Sequence, residues 1–493
     1  MGTASKSLFV AALLTSLFLT GCPANSVCQN GRVEAPEECD DGNDVSGDGC
    51  EPGCTLKPSV SCSNGVKDAD EECDDGNRIS GDGCESNCKL TNTATFKTCA
   101  ASSEQAATDG TCRVTSGDGK KLIVGVILGD GIVYAGGQVL IDEEGIISCV
   151  GCDCAKASGA DSATKISCPS TVISPGLINA HDHINFQASP SVRTDERYEH
   201  RHDWRKGNDG HTLLSSGGNA KNSEIRWAEI RQLMSGTTSV VGATYSAVGN
   251  QGFLRNLDAP PAGQEGLDAG VAAVNSDTFP LGDSSGLELS QGCAYPSIAG
   301  AKDIPADSAY LPHVSEGIES SAANEFFCLT ADKGVGILGD RSAFVHGIGL
   351  TAKDIAAMGQ THTSLVWSPR SNVSLYGDTA QISLFAKSQV NIALGTDWTI
   401  SGSMNMLREL KCADSLNQTR FNNALSDEAL WRAAPVGGAI ATRTEHRIGR
   451  LAVGLLADMA VFKRKGSTVH RSVIDAEPSD VVLTMRAGKV LFG

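Results

Sequence analysis

Basic residues are scarce in this chain. Its 493 residues hold 40 Lys plus Arg against 58 Asp plus Glu, a formal charge of −18, and nothing suggests a nucleic-acid surface. A membrane-length apolar run is lacking at the N-terminus. Leu8 to Thr20, behind Lys6, is too short to cross a bilayer as a helix and has the length of a signal h-region. Apolar residues are sparse again between Cys28 and Cys88, too sparse for a buried core, so disulfides made after export are the expected staple. Cysteine, by contrast, is plentiful. Eight of the 18 cysteines form a repeat in which Cys28, Cys39, Cys50 and Cys54 recur 34 residues on as Cys62, Cys73, Cys84 and Cys88. Four per copy allow three connectivities, and spacing does not choose among them. The same stretch carries 16 acidic and 4 basic residues, −12 of the −18, so the acidity is local. Its Asp-Asp-Gly-Asn and Ser-Gly-Asp-Gly turns have calcium-binding chemistry. Turns that merely space disulfides are the favoured reading, and no calcium is expected there.

A chain of this length exceeds one ordinary core. The expected division is a signal peptide over 1–21, two Cys-rich repeats within 22–90 (28–54 and 62–88), a linker over 91–119, and a β segment over 120–174. An α/β barrel over 175–445 and a second β segment over 446–493 follow, the two β segments forming one appended β-sandwich. Leu19-Thr-Gly-Cys22 resembles a bacterial lipobox, which implies cleavage before Cys22 and lipidation of that residue. The repeats resemble Cys-rich modules of myxobacterial surface proteins. Together these imply an exported protein anchored by lipid to the bacterial envelope, at the outer membrane or cell surface. Cys99 and Cys112 are expected to close the linker as one disulfide, and Cys149, Cys152, Cys154 and Cys168 to form disulfides rather than a metal site.

From Pro175 onwards strand-like and helix-like segments alternate, the mark of a parallel α/β architecture. Third-strand residues are expected at Gly270-Val-Ala-Ala-Val274 and a fourth strand within Ala294 to Ile304. The apolar strand Pro175-Gly-Leu-Ile-Asn-Ala-His181-Asp-His183 ends in His-x-His. Residues i and i+2 of an extended strand share a face, so two imidazoles can meet one metal ion. Further donors stand at other strand ends: His313 and Glu316 in Leu311-Pro-His-Val-Ser-Glu, His346 after Phe344-Val, and Asp397 after Leu394-Gly-Thr. Barrel enzymes carry their active residues at such ends.

Pro175 to His183, His313-Val-Ser-Glu-Gly317, Ser368-Pro-Arg-Ser-Asn372 and Gly395-Thr-Asp397 occur in that order, and the set resembles the amidohydrolase superfamily. The branch is that of cytosine, guanine and S-adenosylhomocysteine deaminases and triazine chlorohydrolases. Ile448-Gly-Arg-Leu, Gly454-Leu-Leu-Ala-Asp458 and Gly488-Lys-Val490 resemble that family's closing β segment. The resemblance implies a (β/α)8 barrel with one divalent transition metal on His181, His183, His313 and Asp397, zinc first, with iron or manganese as alternatives. It assigns Asp397 as proton acceptor, His346 as the residue orienting water or polarising substrate, and Glu316 as the proton shuttle to a ring nitrogen. His200, His202 and Trp204 are candidates for the substrate entrance; Arg370, Asn372 and Trp398 are further candidates around the pocket. His211, His362, His446 and His470 are expected to be structural or exposed. A second metal would need a bridging lysine on the fourth strand, and Lys302, alone in that window, lacks strand-end flanks. The implied reaction is hydrolysis of a non-peptide C–N bond of a small molecule, with deamination of an amino-substituted heterocycle favoured. A cyclic amidase or chlorohydrolase-type reaction is the runner-up, and a non-catalytic surface-binding lipoprotein the reading of a different class.

Overall fold

The structure is a computed structural model that describes residues 37–40, 42–43, 50–56, 95–100, 112–186, 196–214, 220–242, 252–259, 264, 266–267, 271–330, 336–466 and 468–493. The lipidation candidate Cys22, the signal segment and the second repeat lie outside these residues. In the first repeat Cys39 pairs with Cys50.

Eight short parallel strands build the catalytic-type half: β1 (Leu177–Asn179), β2 (Thr237–Val240), β3 (Arg255–Asn256), β4 (Asn275–Asp277), β5 (Tyr310–Val314), β6 (Ala343–His346), β7 (Ser364–Trp367) and β8 (Ile392–Leu394). They lie in two sheets, β1 to β3 and β4 to β8, rather than one continuous ladder. A few backbone bonds span the two seams. The Val274 N–H reaches Leu257 O at 2.8 Å, and the Ala180 N–H reaches Leu394 O at 3.0 Å. Alternation along each strand explains why these residues form a ring. Ile178, Leu311, Val345, Val366 and Ala393 fill one cluster. Their neighbours Tyr310, Phe344, Leu365 and Leu394 pack the other way, among helix residues such as Phe326, Ile355, Met358 and Phe385. The helices include α1 (Arg201–Lys206), α2 (Asn222–Leu233), α3 (Ser320–Thr330), α4 (Ala352–Gln360), α5 (Pro369–Tyr376), α6 (Ile382–Lys387), α7 (Met406–Thr419), α8 (Asp427–Ala433) and α9 (Val436–Ala441).

The third and fourth strands differ from expectation. No strand lies in 294–304, where Ala301–Asp303 is a single 3-10 turn. The third strand is Arg255–Asn256 and the fourth is Asn275–Asp277, one residue beyond the expected apolar run. Both are short and polar, so neither shows the β-branched pattern by which a strand is recognised. Arg255 is buried because it forms an ion pair with Asp458 of the segment after the barrel.

The segments before and after the barrel join in one mixed nine-stranded sheet. Ala163–Pro175 is its spine, antiparallel to Met459–Lys463 on one side and parallel to Asp118–Leu128 on the other. The sheet curls until its ends meet, since a Cβ on Gly145 would stand 2.1 Å from Ala487 O. Ile123, Ile127, Val139, Met459 and Leu483 fill the space inside. Gly176 leads from the spine into β1 past Thr238, with no room for a Cβ (2.5 Å to Thr238 Cγ2). Three disulfides staple this sheet: Cys99–Cys152, Cys112–Cys168 and Cys149–Cys154. The expected Cys99–Cys112 link is therefore corrected: both cysteines tie the linker to the sheet. Cys293–Cys328 fixes the segment before β5 to α3.

Candidate active site

The donors converge at the C-terminal ends of the parallel strands. The His181 ring lies 4.8 Å from that of His183, 4.7 Å from His313 and 5.5 Å from His346, centroid to centroid. Asp397 Oδ1 stands 3.4 Å from Nε2 of both His181 and His183. His181, His183 and His313 present nitrogens to one point, as do His181, His346 and Asp397. His346 and Asp397 both adopt positive φ, 73° and 54°, and Ser315 beside Glu316 does so at 53°. Such strain in non-glycine residues persists only where surroundings impose it, and it gathers at working sites.

Each donor is aimed by a partner. His313 Nδ1 donates to Asp277 O at 3.2 Å, and His346 Nδ1 to Asn372 Oδ1 at 3.1 Å, so each ring's Nε2 keeps its lone pair. Asp397 Oδ2 accepts from Ser371 Oγ at 2.5 Å, and Oδ1 from the Trp398 N–H at 2.7 Å. Gly395 has to be glycine, because a Cβ there would meet His181 Cβ at 2.6 Å. Behind the donors Asn179 links β1 to β8: its Nδ2 donates to Thr396 Oγ1 at 2.7 Å and its Oδ1 accepts the Thr396 N–H at 3.0 Å. Asp182 Oδ2 takes Gln232 Nε2 and Thr396 Oγ1, both at 3.1 Å. Nothing local in the sequence marks Asn179, Asp182 or Thr396, since the contacts that tie Asn179 and Asp182 to Thr396 join residues more than two hundred positions apart.

Burial favours the neutral form of His183 and His313. It pushes His183 down to about 3 and His313 well below the ordinary histidine range, with His181 beside both adding to the effect. Burial alone would raise the Asp397 carboxyl, but His181, His346 and His183 around it hold it far below the usual range. Neutral imidazoles beside an ionised carboxylate are the state in which these groups bind metal.

Glu316 faces the same space, with Oε2 3.7 Å from His346 Nε2. Tyr376 donates to its Oε1 at 2.8 Å and in turn accepts Trp204 Nε1 at 2.8 Å. Burial, and then the Glu316 charge, raise the Tyr376 phenol, which keeps it a donor. Trp204 packs on Trp398 at 4.8 Å, Phe186 lies 6.2 Å from Trp398, and these rings stand beside His183 as one aromatic wall.

His200 and His202 do not join the histidine group. His200 Nδ1 accepts the His202 N–H and Nε2 pairs with Glu325 at 3.1 Å. His202 uses Nε2 on Asp283 at 2.8 Å and Nδ1 on Arg205 at 2.7 Å. All four ring nitrogens are thus spent inside a buried charge cluster around Arg201. Arg370 turns its Nε to Ser403 at 2.8 Å, and Asn372 holds His346.

Residues 308–491 match the amidohydrolase family. A domain of unknown function matches twice, over 18–55 and 59–89, in register with the two repeats. Curated relatives include the 5-methylthioadenosine/S-adenosylhomocysteine deaminases of Caldanaerobacter subterraneus subsp. tengcongensis, 31% identical over 32% of this chain and 39% of that protein, and of Syntrophobacter fumaroxidans, 34% identical over 26% and 30%. The chain therefore spans well under half the length of these relatives. Similar folds are a zinc-bound adenosine deaminase from Xanthomonas campestris and a zinc complex of atrazine chlorohydrolase from Arthrobacter aurescens. The first has a TM-score of 0.51 at 19% identity, covering 75% of this chain and 92% of the other; the second 0.55 at 17%, covering 75% and 95%. The amidohydrolase match takes in His313, Glu316, His346 and Asp397, while His181 and His183 reach that group from β1, outside it.

The donor set suits a divalent metal on an observation of its own. His181 Nε2 is buried and has no hydrogen-bond partner, although Asp397 lies 3.4 Å away. A tetrahedral ion with ligand bonds of ~2.0–2.2 Å spaces its donors at roughly 3.4 Å.

Proposed function

We propose that this chain is a metal-dependent hydrolase of C–N bonds other than peptide bonds, and that it deaminates an amino-substituted heterocycle. The observation that carries the reading is the buried, unpartnered His181 Nε2 within a group of three imidazoles and a carboxylate whose donor atoms converge. His181, His183, His313 and Asp397 would hold the ion, zinc best by donor type, with iron or manganese also fitting. When bound, it supplies a water of lowered pKa and Lewis-acid polarisation.

The chain's own residues do the rest. Asp397 is ionised and takes the proton released as water adds. His346 accepts a hydrogen bond from that water at Nε2, since Asn372 holds its proton on Nδ1. Glu316, steadied by Tyr376, carries a proton to the ring nitrogen, which makes the adjacent carbon open to attack. The proton taken by Asp397 then passes to the amino group, which leaves as ammonia while the new hydroxyl returns its proton to Glu316. Trp204, Trp398 and Phe186 give a flat ring an apolar face to lie against. The five disulfides among the described residues support an oxidising compartment, in keeping with export and a lipid anchor at Cys22.

The test is ammonia release from a panel of amino-substituted purines, pyrimidines and triazines, with chloride release and ring opening of cyclic amides scored alongside. Ammonia from at least one member, abolished in His181→Ala, is the expected result. Chloride or ring-opened product alone would replace deamination by the matching hydrolysis. No turnover by a metal-loaded chain on any of them would refute the reading.

A further inference from the structure

A chain of hydroxyls links the aromatic wall of the pocket to the Asp397 carboxylate. Trp398 Nε1 donates to Ser401 Oγ at 2.6 Å, Ser401 Oγ lies 2.7 Å from Ser371 Oγ, and Ser371 Oγ donates to Asp397 Oδ2 at 2.5 Å. All four side chains are buried. On distance alone the contact between the two serines could run either way, and its neighbours settle it. An indole N–H only donates, so Ser401 Oγ accepts from Trp398. The Ser371 hydroxyl proton is spent on Asp397, so Ser401 supplies the proton between the serines. Every bond therefore points the same way, from the indole to the carboxylate, and each donor polarises the next.

Two elements hold this relay in place from opposite sides. In the loop after β8, the Gly402 N–H reaches Trp398 O at 2.8 Å and the Ser403 N–H reaches Thr396 O at 3.2 Å, which folds Ser401 back to the indole. Across from it, Glu409 Oε1 of α7 accepts the Arg370 N–H at 3.1 Å and fixes the first turn of α5, where Ser371 stands. The other carboxylate oxygen, Oδ1, accepts the backbone N–H of Trp398 at 2.7 Å and lies 3.4 Å from Nε2 of both His181 and His183. Trp398 thus grips both oxygens of Asp397, one through its own backbone and one through two serines. The same indole packs on Trp204 at 4.8 Å and stands 6.4 Å from the His183 ring.

We propose that Trp398, acting through Ser401 and Ser371, is the positioning residue that sets the pose of the Asp397 carboxylate. The inference rests on the reading of Asp397 as the group that takes the proton from water and returns it to the leaving amine. One side chain then sets both the face that receives the substrate ring and the carboxylate that handles the proton. Ser401 and Ser371 are parts of that device and touch no substrate.

The experiment begins with kinetics. Trp398→Phe keeps an aromatic face and deletes the donor, whereas Ser401→Ala deletes the link and keeps the indole. Each is expected to lower kcat by about 10–100-fold, with KM little changed and metal content equal to the parent's. The double variant is expected to be no slower than the slower single, because one relay is broken once. Ser401→Thr, which keeps the hydroxyl, is expected to restore the rate. A ring that served for stacking alone would raise KM in Trp398→Phe and leave Ser401→Ala at the parent rate. That result would overturn the proposal and leave the hydrolase reading standing.

A second measurement needs no turnover. The chain has 5 tryptophans, so indole ¹⁵N labelling gives a countable set of N–H signals, and the one lost in Trp398→Phe belongs to Trp398. That signal is expected to move in Ser371→Ala, although Ser401 stands between the two residues, while those of Trp227 and Trp431 stay in place. Should Ser371→Ala fail to fold, Ser371→Cys serves in its place. A Trp398 signal unmoved in a folded Ser371 variant would overturn the proposal, whether or not the chain turns over any substrate.

Discussion

Glu316 and Tyr376 show how much one residue's role depends on what holds it. Glu316 sits after β5 with one oxygen on the Tyr376 hydroxyl and the other facing His346. Replacing it with Gln keeps the shape and removes the proton carrier. Glu316→Gln is expected to lower kcat by about 10²–10⁴ with metal content unchanged, and steady-state kinetics beside elemental analysis checks both. A loss below tenfold would remove Glu316 from the chemistry. His470 carries a different prediction. Burial against Trp431 pushes its imidazole down to about 4, with Asp427 and Arg432 acting in opposite senses. The folded chain then binds fewer protons than the unfolded chain between pH ~6.5 and ~4. Its stabilising share is complete above that window and is lost as pH falls through it. Denaturation midpoints should therefore drop from pH 7 to pH 4.5, and less steeply in His470→Gln; equal slopes would contradict the assignment.

At the scale of elements, β5 and α1 are joined by charges that no local pattern announces. Arg201, wholly buried, pairs with Asp283 at 2.5 Å and Glu325 at 3.0 Å, and Glu325 Oε2 accepts the N–H of the strained Ser315 at 2.8 Å. Removing Glu325 leaves Arg201 half-paired in the interior, so Glu325→Ala should cost about 3–5 kcal/mol in urea unfolding. A loss under about 1 kcal/mol would show that the cluster is not closed. The metal-type donors were legible because His-x-His at a strand end is a local spacing, and His313, His346 and Asp397 each follow a short apolar run. His200 and His202 have an equally suggestive spacing, yet their partners Glu325 and Asp283 come from far along the chain, and burial decides their role. The third and fourth strands were not legible because Arg255–Asn256 and Asn275–Asp277 are polar and short; their pairing comes from neighbouring strands and from Asp458. His211 is expected from the sequence to be structural or exposed, and the fold brings Glu196, Glu199 and Asp203 around it.

The whole molecule divides its labour between a stapled sheet and the ring of strands. Pairing of segments before and after the ring was expected from their β pattern. Disulfide partners were not legible, since Cys99–Cys152 and Cys112–Cys168 close loops of more than fifty residues whose ends only the sheet brings together. The sheet's spine runs through Gly176 directly into β1, so the platform fixes the strand from which His181 and His183 project. The ring then needs one ion to satisfy the nitrogen left bare on His181. Metal per chain, measured by elemental analysis on the oxidised full-length protein and on His181→Ala/His183→Ala, tests this most directly. The account predicts that the double variant folds and holds one transition-metal ion fewer than the parent. Equal metal content in the two, after both have been offered zinc, would contradict it.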